Sequence, residues 1–281
     1  MKKLIVIFVV LVGVVTIFPK FTNAESITNI NGIVISEEEY NNFLKVHTHE
    51  YIMTMSEEKY EKLKSLDYSN VETETKYIET TYNSSLMLTT ERELTKEEYD
   101  NFGGSSNARL SDGAQTTETT AKELILALVG GTTWNYVSVT ATWKYIPETR
   151  SFDVIGFRGY GFDFREGSQQ GEQIYILDNT YTVINYAWNG TNIQKHDNGF
   201  GISMNIVNSD ITDLQLTAEC DISPTIAHPE IFTSYQHAIS SVSLAQSQNY
   251  VLGGAGLGGV FEFPYSVSQK YDGMSGLRLT Y

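Results

Sequence analysis

The sequence predicts a mainly β fold: an antiparallel β-sandwich, or a barrel-like domain, preceded by a small helical region. Three observations predict it. Apolar and polar side chains alternate beyond residue 120, turn sequences separate the alternating runs, and helix-start patterns are confined to the N-terminal part. We therefore divide the chain into a signal peptide (1–24), a Glu-rich, mostly helical region (25–102), a linker or loop (103–119) and a β-sandwich domain (120–281).

The first residues have the layout of a secretory signal peptide. Lys2 and Lys3 precede an apolar run from Leu4 to Phe18, and Ala24 supplies the small residue at which cleavage is expected. The run is shorter than the roughly 20 residues that a membrane-spanning helix requires. We therefore expect cleavage after Ala24, a secreted, extracellular protein, and no stable transmembrane segment in the mature chain.

A helix-start pattern occurs three times in the Glu-rich region, at Ser36, Ser56 and Thr95. In each copy a hydroxyl side chain can cap free backbone N–H groups, and acidic residues follow at the positive end of the helix dipole. The first and third copies have Glu three residues after the cap and so complete a capping box, whereas the second has Lys59 there. We interpret these as three short helices with a common physical start; a recognition repeat is the alternative.

Period-two alternation predicts about ten strands in the second part of the chain. The clearest runs are 137–145, 160–164, 200–206, 214–222, 261–267 and 277–281. Further candidates are 122–129, 152–158, 173–177, 181–188 and 235–244, of which the first is also compatible with a helix. Helical periodicity is nearly absent from this part, which favours a sandwich or a barrel.

Composition excludes several partners and sites. The formal net charge of −15 repels phosphate backbones, so we expect no nucleic-acid partner. The single cysteine, Cys220, can form neither an intrachain disulfide nor a Cys-rich zinc site. Because Cys220 lies on the apolar face of a predicted strand, we expect it to be a core residue.

We find no catalytic or metal-binding residues by sequence. His47 and His49 would lie on different sides of a helix, although in a strand or turn they could share an ion, and His237 has the position of a strand residue. The run 254–259 contains Gly-x-Gly-x-x-Gly, but a strand-like sequence follows it where a dinucleotide site needs a helix, so we expect no such cofactor. A pair of catalytic carboxylates is neither supported nor excluded.

Tryptophan provides the only candidate binding residues. Trp143 is on a core-facing register, which leaves Trp134 and Trp188 as candidates for stacking against a sugar. Packing in the core is the alternative role for each of them.

Three segments resemble a loose group of uncharacterised exported proteins of Gram-positive bacteria, which combine a signal peptide, a Glu-rich helical region and a β-rich C-terminal domain. These segments are Ser56 to Tyr60, Trp143 to Asp153 and His237 to Ser240. The resemblance implies export and this domain order, but no activity, cofactor or site.

Together these observations favour an exported, non-catalytic protein that binds a protein or glycan partner or the cell surface. A hydrolase whose site is not visible in the sequence is one alternative. A pore-forming protein is another, since the Ser/Thr-rich segment 202–218 could form a membrane hairpin.

Overall fold

A computed structural model describes residues 26–83, 88–103, 117–206, 210–253, 260–273 and 275–281. The expected signal peptide and the glycine-rich run 254–259 lie outside the described residues. The helices are α1 (Glu37–Phe43), α2 (His49–Thr54), α3 (Glu57–Lys64), α4 (Lys96–Asp100), α5 (Leu244–Ser247) and α6 (Tyr265–Ser268). None of the helices in the described part of the chain is long and apolar enough to cross a bilayer.

Strands dominate the structure, as the sequence predicts. They are β1 (Ile27–Thr28), β2 (Val34–Ile35), β3 (Asp67–Asn83), β4 (Leu88–Leu94), β5 (Thr117–Gly130), β6 (Asn135–Trp143), β7 (Phe152–Tyr160), β8 (Phe162–Phe164), β9 (Gln170–Leu177), β10 (Thr180–Tyr186), β11 (Ile193–His196), β12 (Gly199–Asn205), β13 (Ile211–Pro224), β14 (Glu230–Gln236), β15 (Val251–Leu252), β16 (Phe261–Glu262) and β17 (Ser275–Thr280).

Two antiparallel sheets form a β-sandwich-like core. The eight-stranded sheet has the order β10-β9-β13-β6-β5-β3-β4, with β8 paired to β13, and the five-stranded sheet has the order β11-β12-β7-β14-β17. Side chains from both sheets share one buried cluster, which includes Leu216 and Cys220 of β13 and Phe157 of β7. The mainly β, sandwich-like fold is therefore confirmed, and Cys220 is the core residue that its register predicts.

Helices α1, α2 and α3 cover the outer face of the eight-stranded sheet. Their apolar residues, among them Phe43, Tyr51 and Leu63, share a buried cluster with Ala127 and Val129 of β5. The alternate residues of β5 point into the core between the sheets. A strand buried on both faces has a continuous apolar sequence, which explains why residues 122–129 were also compatible with a helix.

The three predicted helix starts are confirmed. Ser36, Ser56 and Thr95 cap α1, α3 and α4 with their side chains, and the first and last complete capping boxes with Glu39 and Glu98. The N-terminal region is nevertheless not mostly helical, because residues 67–83 and 88–94 form β3 and β4 of the large sheet. Val and Thr alternate with charged residues through much of β3, and β-branched residues favour strands despite the high Glu content.

Most of the expected linker, residues 104–116, lies outside the described residues, and its last predicted residues belong to β5, which begins at Thr117. Strand β3 pairs with β5 from Asp67↔Gly130 to Asn83↔Thr117. The hairpin of β3 and β4, from the region predicted to be helical, is thus a part of the same sheet as the strands beyond the expected linker.

One predicted strand is divided, and two others are much shorter than predicted. Segment 160–164 is divided at Gly161, whose φ of +72° lets the chain leave β7 and enter the other sheet as β8. Segment 235–244 leaves β14 at Gln236, and Ser243 then caps α5. Segment 261–267 is a strand only at Phe261–Glu262, since Pro264, which cannot donate to a ladder, precedes α6.

Candidate functional site

A cavity of about 550 Å³ lies between the helices and the edge of the eight-stranded sheet. Its walls come from the turn between β1 and β2, the α2–α3 corner, the start of β9 and the length of β10. Most of its side chains can hydrogen-bond, including Asn31, Glu58, Gln170 and Asn185, and Tyr181 adds an aromatic ring. Tyr186 is a second tyrosine in the lining, so the cavity offers donors, acceptors and aromatic surface to a small polar ligand.

Asparagine side chains hold the β1–β2 turn against the end of α2. The Asn31 amide donates to the backbone oxygens of Thr54 and Met55 at 3.0 Å, and the Asn29 amide donates to Met55 at 2.9 Å. Carbonyls at a helix C-terminus lack partners within the helix, so these contacts satisfy them and fix this wall of the cavity.

The floor of the cavity contains a buried ion pair. Lys59 Nζ lies 2.8 Å from Glu172 Oε1 and 3.3 Å from Glu219 Oε1. Helix α3 supplies the lysine, while the two glutamates lie on the neighbouring strands β9 and β13, where Glu172 pairs with Thr217. Lys59 and Glu172 line the cavity, whereas Glu219 lies behind them with a residue exposure of 1%.

Glu219 is held as a carboxylate by several donors. Tyr51 and Tyr136 donate their hydroxyl protons to its Oε2, and Gln170 donates to its Oε1. Burial alone would raise the pKa of Glu219, but the charges of Lys59 and Lys62 and the hydrogen bond from Tyr136 hold it well below the ordinary range. Glu219 is therefore an internal anchor whose oxygens are already occupied.

Glu172 has a different environment. Burial raises its pKa, Lys59 opposes this rise, and the negative charge of Glu219 adds to it, so that the pKa ends above its ordinary value. Its Oε2 atom accepts no hydrogen bond from the residues that the structure describes. An acceptor with spare capacity therefore lies at the cavity floor.

An uncharged histidine supports the two tyrosines. His47 Nε2 lies 2.8 Å from the Tyr136 hydroxyl, and the imidazole stacks on the Tyr51 ring with centroids 3.8 Å apart. Burial lowers the pKa of His47 to about 3, which keeps the ring neutral. His49 instead lies 2.8 Å from the Tyr40 hydroxyl, so the two histidines have separate partners.

The structure does not bring the two candidate tryptophans together. Trp134 is half-buried just before β6, and Trp188 follows β10. In the eight-stranded sheet, β9 and β13 separate β10 from β6. Trp188 is 41% exposed, and Lys195 Nζ lies 4.2 Å from its ring centroid. It follows Tyr186 and Ala187, which line the cavity, although Trp188 itself does not. Their sugar-stacking role stays a prediction.

A second buried charged cluster joins the two sheets away from the cavity. Lys122 Nζ lies 2.6 Å from Asp272, and Asp153 accepts hydrogen bonds from the Tyr235 hydroxyl and the Ala238 amide. His237 lies just beyond β14, not within a strand as predicted, with its Nδ1 at 3.0 Å from Asp153. Although burial lowers the pKa of His237, the charge of Asp153 raises it above its ordinary value overall.

No group of three or more His, Cys, Asp or Glu side chains in the described ranges is arranged to hold a metal ion. Comparison with protein-family models and with curated proteins finds no match for this chain.

Sequence reasoning did not identify Lys59, Glu172 or Glu219 as site residues. One signal was present, since Lys59 is the residue that departs from the repeated helix start, where the other copies have a capping Glu. The structure shows that this position faces buried carboxylates, where Glu would add a third negative charge. Glu219 lies on the polar face of a strand that helices cover, and alternation alone cannot reveal that cover.

Proposed function

We propose that this chain is an exported, non-catalytic protein that binds a glycan in the cavity between α3 and β10. The observation that carries the proposal is the cavity itself, with polar side chains on its walls and a buried ion pair on its floor. Sugars present many hydroxyl groups, which pair with amide, carboxylate and ammonium groups of this kind, and a tyrosine ring can pack against a sugar face.

The arrangement of the two carboxylates supports binding rather than hydrolysis. A glycosidase needs both carboxylates to reach the sugar. Here Glu219 lies behind the floor with its oxygens occupied by Tyr51, Tyr136 and Gln170, and Lys59 is bound between the two acids. The proposed role is therefore recognition.

A hydrolase is the second candidate, and one observation favours it. Glu172 and Glu219 lie on neighbouring strands, and their pKa values are shifted in opposite directions. Such a divergence is common where one carboxyl acts as an acid and another stays ionised. Prolonged incubation of the chain with each bound glycan, followed by product analysis, separates the candidates: intact glycan supports binding alone, and cleavage supports the hydrolase.

The proposed function can be tested with a glycan array followed by calorimetry on each hit. We expect at least one glycan to bind, and the Asn185→Leu variant to bind it about 2–10-fold more weakly, as the loss of one hydrogen bond predicts. Gln269→Leu is the matched control, because Gln269 is exposed at the end of α6, outside the cavity. Absence of binding across the array, or equal affinity of Asn185→Leu and wild type, would contradict the proposal.

The pore-forming alternative stays a prediction from sequence. Within segment 202–218, β12 belongs to the five-stranded sheet and β13 to the centre of the eight-stranded sheet, so the two strands do not form a hairpin with each other in this structure. Dye leakage from liposomes tests this alternative directly.

A further inference from the structure

The buried groups on the cavity floor do not balance in charge. Two carboxylates, Glu172 and Glu219, share the single ammonium of Lys59, and all three residues are at most 9% exposed. Removing a charge from water is unfavourable unless an opposite charge compensates it. The floor therefore carries one negative charge in excess when both glutamates are ionised.

Neighbouring cations pair with Asp221, although Lys62 also lines the cavity and its charge helps to keep Glu219 ionised. Lys62 Nζ lies 2.7 Å from Asp221 Oδ1, and the Arg165 guanidinium lies 3.2 Å from Asp221 Oδ2. The side chain of Arg165 is 56% exposed, so water screens its charge. Glu58 adds a further carboxylate where α3 borders the cavity.

The excess charge meets the cavity at Glu172. The Lys59 ammonium lies 2.8 Å from the Oε1 atom of this residue, and Oε2 is buried. Among the described residues, neither Oε2 nor Lys59 Nζ has a hydrogen bond of good geometry, so a ligand hydroxyl could also accept from the ammonium. Glu219, in contrast, does not line the cavity. A ligand that contributes both a hydrogen-bond donor and a positive charge at Glu172 Oε2 would satisfy the oxygen and complete the charge balance.

We propose that the ligand of this cavity is an amino sugar with a free ammonium group, which donates to Glu172 Oε2. This inference rests on the proposed function and names its ligand class. The net charge of −15 further favours a cationic ligand, because the field of the whole chain attracts it.

Other occupants fit this oxygen less well. A sugar hydroxyl would satisfy the hydrogen bond but leave the negative charge in place. A divalent metal ion prefers several oxygen ligands, and the second carboxylate, Glu219, is already bound by two tyrosines. An ammonium group needs only acceptors and carries the single charge that is missing.

The experiment compares three β-1,4-linked disaccharides that differ only in the group at carbon 2: the de-N-acetylated amino form, the N-acetylated form and cellobiose. The galactose-configured monosaccharide series, galactosamine, N-acetylgalactosamine and galactose, is measured in parallel. Isothermal titration calorimetry is performed on the full chain near neutral pH. We expect a free-amine sugar to bind about tenfold or more tightly than its uncharged relatives, as a charge-assisted hydrogen bond predicts.

The Glu172→Gln variant tests the contact itself. It keeps the shape of the side chain but removes the charge, so we expect the preference for the amine to fall below about twofold. Glu57→Gln is the matched control, because Glu57 is exposed on the same helix as Lys59, does not line the cavity and gives the same change in net charge; we expect it to retain the preference.

The binding results distinguish an incorrect ligand class from an incorrect proposed function. Equal affinity for amine, N-acetyl and hydroxyl forms overturns the amino-sugar ligand, and a preference that survives Glu172→Gln overturns its contact with Glu172. Both results leave glycan binding in place. Absence of binding by both amine series, while other glycans bind on the array, also overturns it. Absence of binding on the whole array contradicts the proposed function itself.

Discussion

The Tyr51 hydroxyl donates a 2.6 Å hydrogen bond to Oε2 of Glu219, a residue 168 positions later in the chain. The bond joins helix α2 to the centre of strand β13, and Tyr136 of β6 donates to the same oxygen. Both tyrosines are at most 1% exposed. The helices that form one wall of the cavity are thus attached to the sheet through a shared buried carboxylate.

Replacement of Tyr51 by Phe should destabilise the chain while leaving its shape unchanged. The variant removes one of the donors that compensate the buried charge of Glu219, and a hydrogen bond to a charged group contributes about 1.5–3 kcal/mol. Urea denaturation measures the loss. Tyr265→Phe, at a tyrosine that is 79% exposed, is the control and should change the free energy of unfolding by less than about 0.5 kcal/mol. Equal stability of the two variants would contradict the anchoring role.

Replacement of Lys59 by Met should be more damaging. It leaves Glu172 and Glu219 buried without their shared ammonium, and removing one partner of a buried ion pair costs about 3–5 kcal/mol. The loss should be smaller in acid, where protonation of Glu172 relieves the repulsion. Lys96→Met is the control, because the side chain of Lys96 is 67% exposed and its pairing with Asp100 should contribute less than about 1 kcal/mol. A loss that is equal for both variants would contradict the account of the cavity floor.

Glu172 should also give a measurable pH dependence of stability. Because burial and the charge of Glu219 raise its folded pKa above 4.5, against the opposing effect of Lys59, its contribution to stability is present below that pH and is lost as pH rises through the folded pKa. Glu219, with a lowered pKa, acts only at lower pH. The Glu172→Gln variant should therefore gain stability relative to wild type in urea denaturation as the pH rises above 4.5 and through the folded pKa of Glu172. Parallel stability curves for the two proteins would disprove the raised pKa.

Gly201 should not tolerate a side chain. An added Cβ would lie 2.2 Å from the Tyr250 hydroxyl and 2.7 Å from the Phe261 ring, both of which cover the outer face of the five-stranded sheet. Overpacking of this kind costs about 1–3 kcal/mol, so Gly201→Ala should lower the midpoint of thermal unfolding. Gly103→Ala is the control, since no atom lies within 4 Å of its added Cβ. Unchanged stability of Gly201→Ala would show that the aromatic cover moves freely.

Local chemistry accounts for the parts of the fold that the sequence predicts. The caps at Ser36, Ser56 and Thr95 depend on neighbouring residues only, and the alternation of β6 and β13 follows directly from strand geometry. Strand β3 was missed because its many Glu residues resemble the composition of a surface helix, whereas its Val and Thr spacing has period two.

The candidate site could not be predicted in the same way, because it depends on tertiary structure. Lys59, Glu172 and Glu219 come from a helix and two strands that are far apart in the chain. Alternation places Glu219 on the polar face of β13, but only the docking of α2 and α3 shows that this face is buried. The pairing of β9 with β13 then brings the two glutamates together.

An NMR titration of the isotopically labelled chain with the glycan that binds most tightly locates the binding site directly. If the cavity between α3 and β10 is the binding site, the largest shifts will fall on the backbone amides of Gln170, Gly171 and Glu172 and of Asn185 to Ala187, which line it. Amides around Asp153 and His237, in the other buried charged cluster, should not move. Shifts centred on that cluster or on Trp134, with the cavity amides unchanged, would contradict the account.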